Sequence, residues 1–463
     1  MEKEPNKFSN ENIFSAIAPS GQTLYYQIND NIVILIGDNN MSDLRGELII
    51  PSYVTHDEKS YAVTRIGDEA FFMCSGITSV IIPNSVTDIG WSAFDGCRCL
   101  ETITIPNSVK NIDSYAFADC GALTELIIPD SVTRIGAFAF MNCKKLSSVT
   151  ISNSVQKIGA STFKGCCEIN QVKLGDSIIR IGSNAFENCT SLVNVILPDS
   201  VTSIGKRAFC GCKSLIDINI PYSVTNIGDG AFFECASLAH LAFSRNIKKI
   251  GKEAFSECTG LKDVKFFGNV PILDQAFSNC SALTEVSFVD IDESEIIRIG
   301  ECSFAACTHL SSIDFPGNEI ELEENAFVGC GFKDLIISEN IKHVNAFAFA
   351  HNPIENVTIN GDIEIASCAF EYCPLKSLTI KCNDDIFIDD AAFCGCKPLE
   401  IHISKYYPIS DIETIFSSHD FDSGKITKCK DCLKECILYV PQALLSEYLE
   451  DENKAEFKDI VAE

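Results

Sequence analysis

The chain carries 24 cysteines, and these are the residues most able to do chemistry. Thiolates ligate soft and borderline metals, attack electrophiles and pair as disulfides. The stretch FCGC occurs at 209–212 and again at 393–396. The stretch CKDCLKEC at 429–436 places Cys429, Cys432 and Cys436 at x2 and x3 intervals. That is half of a zinc pattern, with His419 or a nearby carboxylate to supply a fourth ligand. No second CxxC follows, so a loop before a closing segment is the simpler reading. A metal-binding or redox protein built on this cluster is kept as an alternative.

Other catalytic signatures are missing. The seven histidines (56, 240, 309, 343, 351, 402 and 419) form no HExxH and flank no nucleophile pair. No GxSxG, Walker A or GxGxxG stands in the right context. The run DIDESE at 290–295 has four acids in six residues but lacks the glycine and distant glutamate of an EF-hand loop. It reads as a solvated insertion. One tryptophan, Trp91, and 11 tyrosines leave few stacking platforms, so a carbohydrate-binding protein is the weakest alternative. No catalytic residues, no resident cofactor and no enzymatic activity are expected.

Charge narrows the partners. Of 463 residues, 36 are Lys or Arg and 64 are Asp or Glu, a net charge of −28. Such a field repels phosphate backbones and anionic membrane surfaces, so neither nucleic acid nor membrane insertion is expected. The opening residues lack a basic region followed by an apolar one, and no stretch approaches a membrane-spanning length. Read as given, the chain is expected in the cytoplasm with reduced thiols, and as a monomer.

The elements that position the thiols are repeats. The core Ala-Phe-x-x-Cys recurs with Phe at 71, 94, 117, 140, 163, 186, 209, 232 and 255, each 23 residues apart. It continues at 277, 304, 327, 349, 370 and 393. Fifteen copies predict one solenoid rather than separate domains. In the copy at 109–131, Leu126 and Ile128 alternate as a strand with one buried face, and Pro129 ends it. Val132 and Ile135 mark a second extended segment. The glycine after that Ile recurs at 67, 90, 136, 159, 182, 205, 228, 251 and 300, which predicts positive φ or close backbone approach. Ala116, Phe117, Cys120 and Leu123 lie on one face of a short helical turn.

Fourteen copies place Cys three residues after the Phe; the exception is Asn352. A metal site gathers ligands around a point, whereas this is a line, so packing is the reading. The slot directly after the Phe, where Cys210 and Cys394 stand, is expected to face solvent.

The stretch IPNSVTDIGWSAFDGCRCLETITIPNSV at 82–109 resembles the BspA-like (Treponema pallidum type) leucine-rich repeat family. That resemblance implies a right-handed leucine-rich-repeat superhelix of about fifteen coils, with stacked short parallel β-strands and short helical turns. It also implies a β-rich cap over 1–61, the repeats over 62–403 and a C-terminal capping segment over 404–463. Members of the family are often surface proteins that bind other proteins and aid adhesion, which places them at the cell surface or outside the cell.

Function is therefore expected as protein binding, adhesin-like among the options, on the exposed positions of the stacked strands. The more polar middle copies contribute Gln171, Lys173, Asn194, Asp217, Asn219, His240, Asp263 and Lys265. The irregular 289–297 loop is a second candidate.

Overall fold

A computed structural model describes residues 12–37, 44–292, 294–381, 386–420, 425–427 and 432–463. The chain divides into two compact units, Met1–Val224 and Thr225–Glu463. Each is a run of stacked coils of the leucine-rich-repeat solenoid type, about 17 turns in the two units.

In the first unit an antiparallel meander, Ile13–Ile17, Thr23–Asn29 and Ile32–Ile36, starts the stack. Its last strand pairs in parallel with Lys59–Ile66, and from there each coil adds one strand to each of two layers of parallel strands, each layer divided into shorter sheets. One sheet holds the strands that alternate, such as Glu125–Ile128, Ser148–Ile151 and Gln171–Lys173. The register step is one repeat: Leu126 faces Val149, and Val149 faces Val172. The other sheet is made of two-residue pieces such as Asp88–Ile89, Asn111–Ile112 and Arg134–Ile135. Val132 and Ile135 are buried, as the pattern requires.

The second unit repeats this plan. Asp334–Ile337, Asn356–Asn360, Ser377–Lys381, Glu400–Ile403, Ile437–Val440 and Asp459–Ala462 form one parallel series. The helix Ile409–Ile415 takes the place of one more turn segment. Its carbonyls at Thr414 and Ile415 accept from the amides of Ala391 and Phe393, at 2.9 and 2.8 Å. Phe416 then packs on Phe393 with ring centroids 5.5 Å apart.

The core is a column of phenylalanines. In the first unit each ring from Phe71 to Phe209 stacks on the next at 5.0–5.7 Å, and in the second unit each from Phe232 to Phe393 does so at 4.7–5.6 Å. Stacked pairs of this kind contribute about 0.5–1.5 kcal/mol each beyond the area they bury. An isolated coil has no neighbour to stack on, which is why the repeat must recur.

The segment read as a helical turn is a chain of tight turns instead. In Gly90–Leu100 the amides of Ala93, Asp95, Cys97 and Leu100 each reach back three residues, at 3.0–3.3 Å. The intervening amides of Ser92, Phe94 and Gly96 donate to Ser114, Ala116 and Ala118 in the next coil, at 2.8–3.0 Å. An α-helix would consume those amides internally and leave the coils unjoined. The device needs left-handed backbone two residues before and two after the Phe: Ser92 has φ +49° and Gly96 has φ +78°. Asp119, Asn142 and Asn188 fill the second slot elsewhere, at φ +54° to +60°, and Asn and Asp tolerate this region better than most residues.

Two more expectations resolve here. None of the glycines after the Ile has positive φ. They are required by close approach: a Cβ on Gly205 would lie 2.6 Å from the Ser183 amide nitrogen. And Cys210 and Cys394 do not face solvent; they are 3% and 4% exposed. Their slot points sideways at the neighbouring coil, and Glu187 and Ser256, in the same slot, are buried too.

Candidate functional site

The thiol line is a hydrogen-bonded ladder. In the first unit the Sγ of Cys97, Cys120, Cys143, Cys166, Cys189 and Cys212 donates to the Phe carbonyl one coil earlier, at 3.1–3.3 Å. In the second unit Cys258, Cys280, Cys307, Cys330, Cys373 and Cys396 do the same at 3.0–3.4 Å. The one copy without the thiol keeps the bond, because Asn352 Nδ2 donates to the Phe327 carbonyl at 2.8 Å. A small apolar group with one donor therefore suits the position. Burial pushes the Cys258 and Cys373 thiols up to about 12, which removes their nucleophilic form at neutral pH. No described cysteine is in a disulfide.

The C-terminal cluster is only partly in view. Cys429 and the His419 side chain lie outside the described residues. Cys432 and Cys436 are buried, and Cys436 Sγ lies 3.7 Å from the Ile437 carbonyl. Burial pushes the Cys436 thiol up to about 12.

The acidic run at 290–295 does not converge on a point among its described residues. Asp290 pairs with Arg245 at 3.4 Å. Asp292 receives the Ser294 hydroxyl and amide at 2.7 and 3.0 Å, which hold its carboxyl below the ordinary range. Glu295 accepts from Asn269 at 2.9 Å. Glu293 lies outside the described residues.

The eight residues expected to meet a partner stand on the strand layer. In the first unit Gln171, Lys173, Asn194, Asp217 and Asn219 are exposed. Asn194 faces Asp217 and Ile196 faces Asn219 in register. In the second unit His240 and Lys265 are exposed and Asp263 is half-buried. His240 faces Asp263, with Nδ1 2.5 Å from Oδ2, so these two engage each other. Lys265 Nζ sits 5.8 Å from the centre of the Phe267 ring. Parallel strands repeat about every 4.8 Å, so such side chains form a ribbon rather than a pocket.

One feature follows the alternation read from the sequence, and a second escaped it. The strand ribbon carries exposed isoleucines, Ile127 at 59%, Ile196 at 78% and Ile336 at 65%. The alternation predicts that they point outward, but scaffold and contact residues look alike in it. The second feature is a buried trio, Cys368, Glu371 and Cys394, whose ligand atoms all lie within 4.8 Å of one another. Its signal was a spacing of one coil plus three residues between two cysteines that are off the ladder.

The sequence matches the BspA type leucine-rich repeat region over residues 64–193, 180–293 and 272–400. The chain belongs to the BspA-type leucine-rich repeat family. A leucine-rich repeat protein from Bacteroides ovatus is similar at 26% identity and a TM-score of 0.56, with 81% of this chain and 94% of that one covered. A leucine-rich cell surface protein from Faecalibacterium prausnitzii is 28% identical, with 75% and 95% covered and a TM-score of 0.48. The leucine-rich repeat protein of T. pallidum is 27% identical, with 51% and 91% covered and a TM-score of 0.35. A search of curated protein sequences finds no match. Leucine-rich repeat folds of this family generally serve as scaffolds for protein–protein interaction rather than catalysis. No helix among the described residues is long and apolar enough to cross a membrane.

Proposed function

We propose that this BspA-type protein is a non-enzymatic, monomeric scaffold that binds another protein through its strand ribbon. The observation that carries this is the contrast within each coil. The turn layer is spent on joining coils, whereas the strand layer leaves two outward side chains per coil whose identity the fold does not fix. In the first unit those positions mix Gln171, Lys173, Asn194, Asp217 and Asn219 with the bare Ile196. Isolated apolar side chains framed by polar ones match the composition of a protein interface better than that of a sugar site. In the second unit His240, Asp263 and Lys265 offer charge of both signs. The family resemblance supports the same reading, including adhesion to other proteins at a cell surface. Residues 62–403 would be the binding body, with 1–61 and 404–463 as its caps.

The test is affinity capture with the full chain against cytosolic and cell-surface protein fractions. A partner captured by the wild type should be lost in the Ile196→Glu/Asp217→Lys variant and kept in Trp91→Ala, which changes an exposed turn-layer residue. The reading fails if neither fraction yields a partner, or if capture is indifferent to the strand-ribbon variant.

A further inference from the structure

Cys368 and Cys394 stand off the thiol ladder. Ladder cysteines stand one per coil, each on a Phe carbonyl. These two occupy different slots, two residues before Phe370 and one after Phe393, and so meet across neighbouring coils. Between them lies Glu371, in the slot after Phe370. All three are buried, at 1%, 9% and 4% exposure. Phe347 packs against the thiols from one side.

We propose that Cys368, Glu371 and Cys394 form a binding site for a thiophilic divalent cation of the zinc type. Zinc holds sulfur at about 2.3 Å and carboxylate oxygen at about 2.0–2.2 Å. Two sulfurs in tetrahedral array then lie ~3.8 Å apart. The trio already fits within 4.8 Å, so loading asks for side-chain movement of about 1 Å or less. The backbone is set for it. The Cys368 amide donates to the Ala391 carbonyl at 3.0 Å, Cys394 to Ala391 at 3.0 Å, and Tyr372 to Cys394 at 2.9 Å. Both thiol carriers are thus pinned by the bonds that join their coils, which is the preorganisation a metal site needs.

The donors also suit the ion. Two thiolates and a carboxylate favour zinc over magnesium or calcium, which take oxygen ligands. On binding, each thiol gives its proton to solvent and its sulfur lone pair to the metal; nothing is oxidised or reduced. His351 marks the way in. Its side chain is 53% exposed, its Nε2 lies 3.7 Å from Glu371 Oε2, and its ring stacks on Tyr372 at 5.5 Å. It is one candidate for a fourth ligand, and a water is another.

The experiment is titration of the reduced full-length protein with cobalt(II), a coloured stand-in for zinc. One equivalent should produce thiolate-to-cobalt charge-transfer absorption with intense tetrahedral bands, and zinc should displace it. The bands should vanish in Cys368→Ser/Cys394→Ser and persist in Cys210→Ser and in Cys432→Ser/Cys436→Ser. Glu371→Gln should weaken cobalt binding at least 10-fold, since even outer-shell changes cost about 10- to 100-fold. X-ray absorption on the wild-type cobalt complex needs no variant to fold, and should count two sulfurs among oxygen or nitrogen ligands. The proposal is overturned by an absence of thiolate bands, by three or four sulfurs, or by bands that survive loss of Cys368 and Cys394. It is equally overturned if the bands disappear only with Cys432 and Cys436.

Discussion

Each coil has a turn layer and a strand layer, and they answer opposite demands. In the turn layer the backbone amides and the Phe and Cys side chains are committed. Alternate amides close tight turns or bridge to the next coil, the Phe joins a column, and the Cys donates to the Phe carbonyl one coil back. At the Cys position the one replacement keeps the bond, as Asn352 does. In the strand layer only the inward positions are committed, and the outward ones range from Ile196 to Lys173. Repetition therefore reports what the fold needs, and the proposed metal site and partner surface fall where it lapses.

Three changes would break or sharpen this contrast. The largest effect is expected at the column. Phe117 is fully buried between Phe94 and Phe140, so Phe117→Ala should cost about 3–5 kcal/mol, read by urea unfolding. A strand-layer change such as Asn194→Ala should fall within about 0.5 kcal/mol. Equal costs at the two sites would remove the distinction.

A smaller effect is expected at Glu187, which stands in the slot after Phe186. Its carboxylate meets Lys164 at 2.7 Å and Arg207 at 3.1 Å, with Asn184 Nδ2 at 2.7 Å. Burial pushes its pKa up, but these donors together pull harder and hold it below the ordinary value. Both cations are partly solvated, so Glu187→Gln should cost only about 1–2 kcal/mol. The folded pKa is depressed, so this contribution is present above the unfolded carboxylate value, about 4.3. It is lost as pH falls through the folded one. The wild-type advantage over Glu187→Gln should thus be flat at neutral pH and shrink in acid. An advantage that instead grows in acid would contradict the assignment.

The smallest effect separates thiols by place. Cys143→Ala removes a ladder rung and should cost about 1 kcal/mol. Cys99→Ala, at an exposed thiol, should be near neutral. In the native protein a thiol reagent should consume Cys99 first and the ladder last. Fast loss of ladder thiols before unfolding would show that the rungs are not closed.

The residues explain why some of this was legible and some was not. Phe every 23 residues, alternation at Leu126 and Ile128, and the thiol line are all local patterns, and they led directly to a solenoid. The turn chain misread as helical has the right apolar spacing. What the pattern omits is the left-handed backbone at residues as ordinary as Ser92 and Asn188, which is set by bonds to the next coil. Cys210 and Cys394 looked solvent-facing because a single coil has no neighbour, and the stack supplies the wall that buries them. The strand-ribbon residues were legible as positions but not as partners of one another: nothing in the sequence pairs His240 with Asp263.

By itself the sequence determined the period, the buried column, the one-thiol-per-coil line and the family, because each is a regularity along the chain. Tertiary structure decided which amides join coils, why the glycines are glycine, and that Cys368, Glu371 and Cys394 share one small space. Those depend on what lies one coil away, a distance of about 4.8 Å through space but more than twenty residues along the chain.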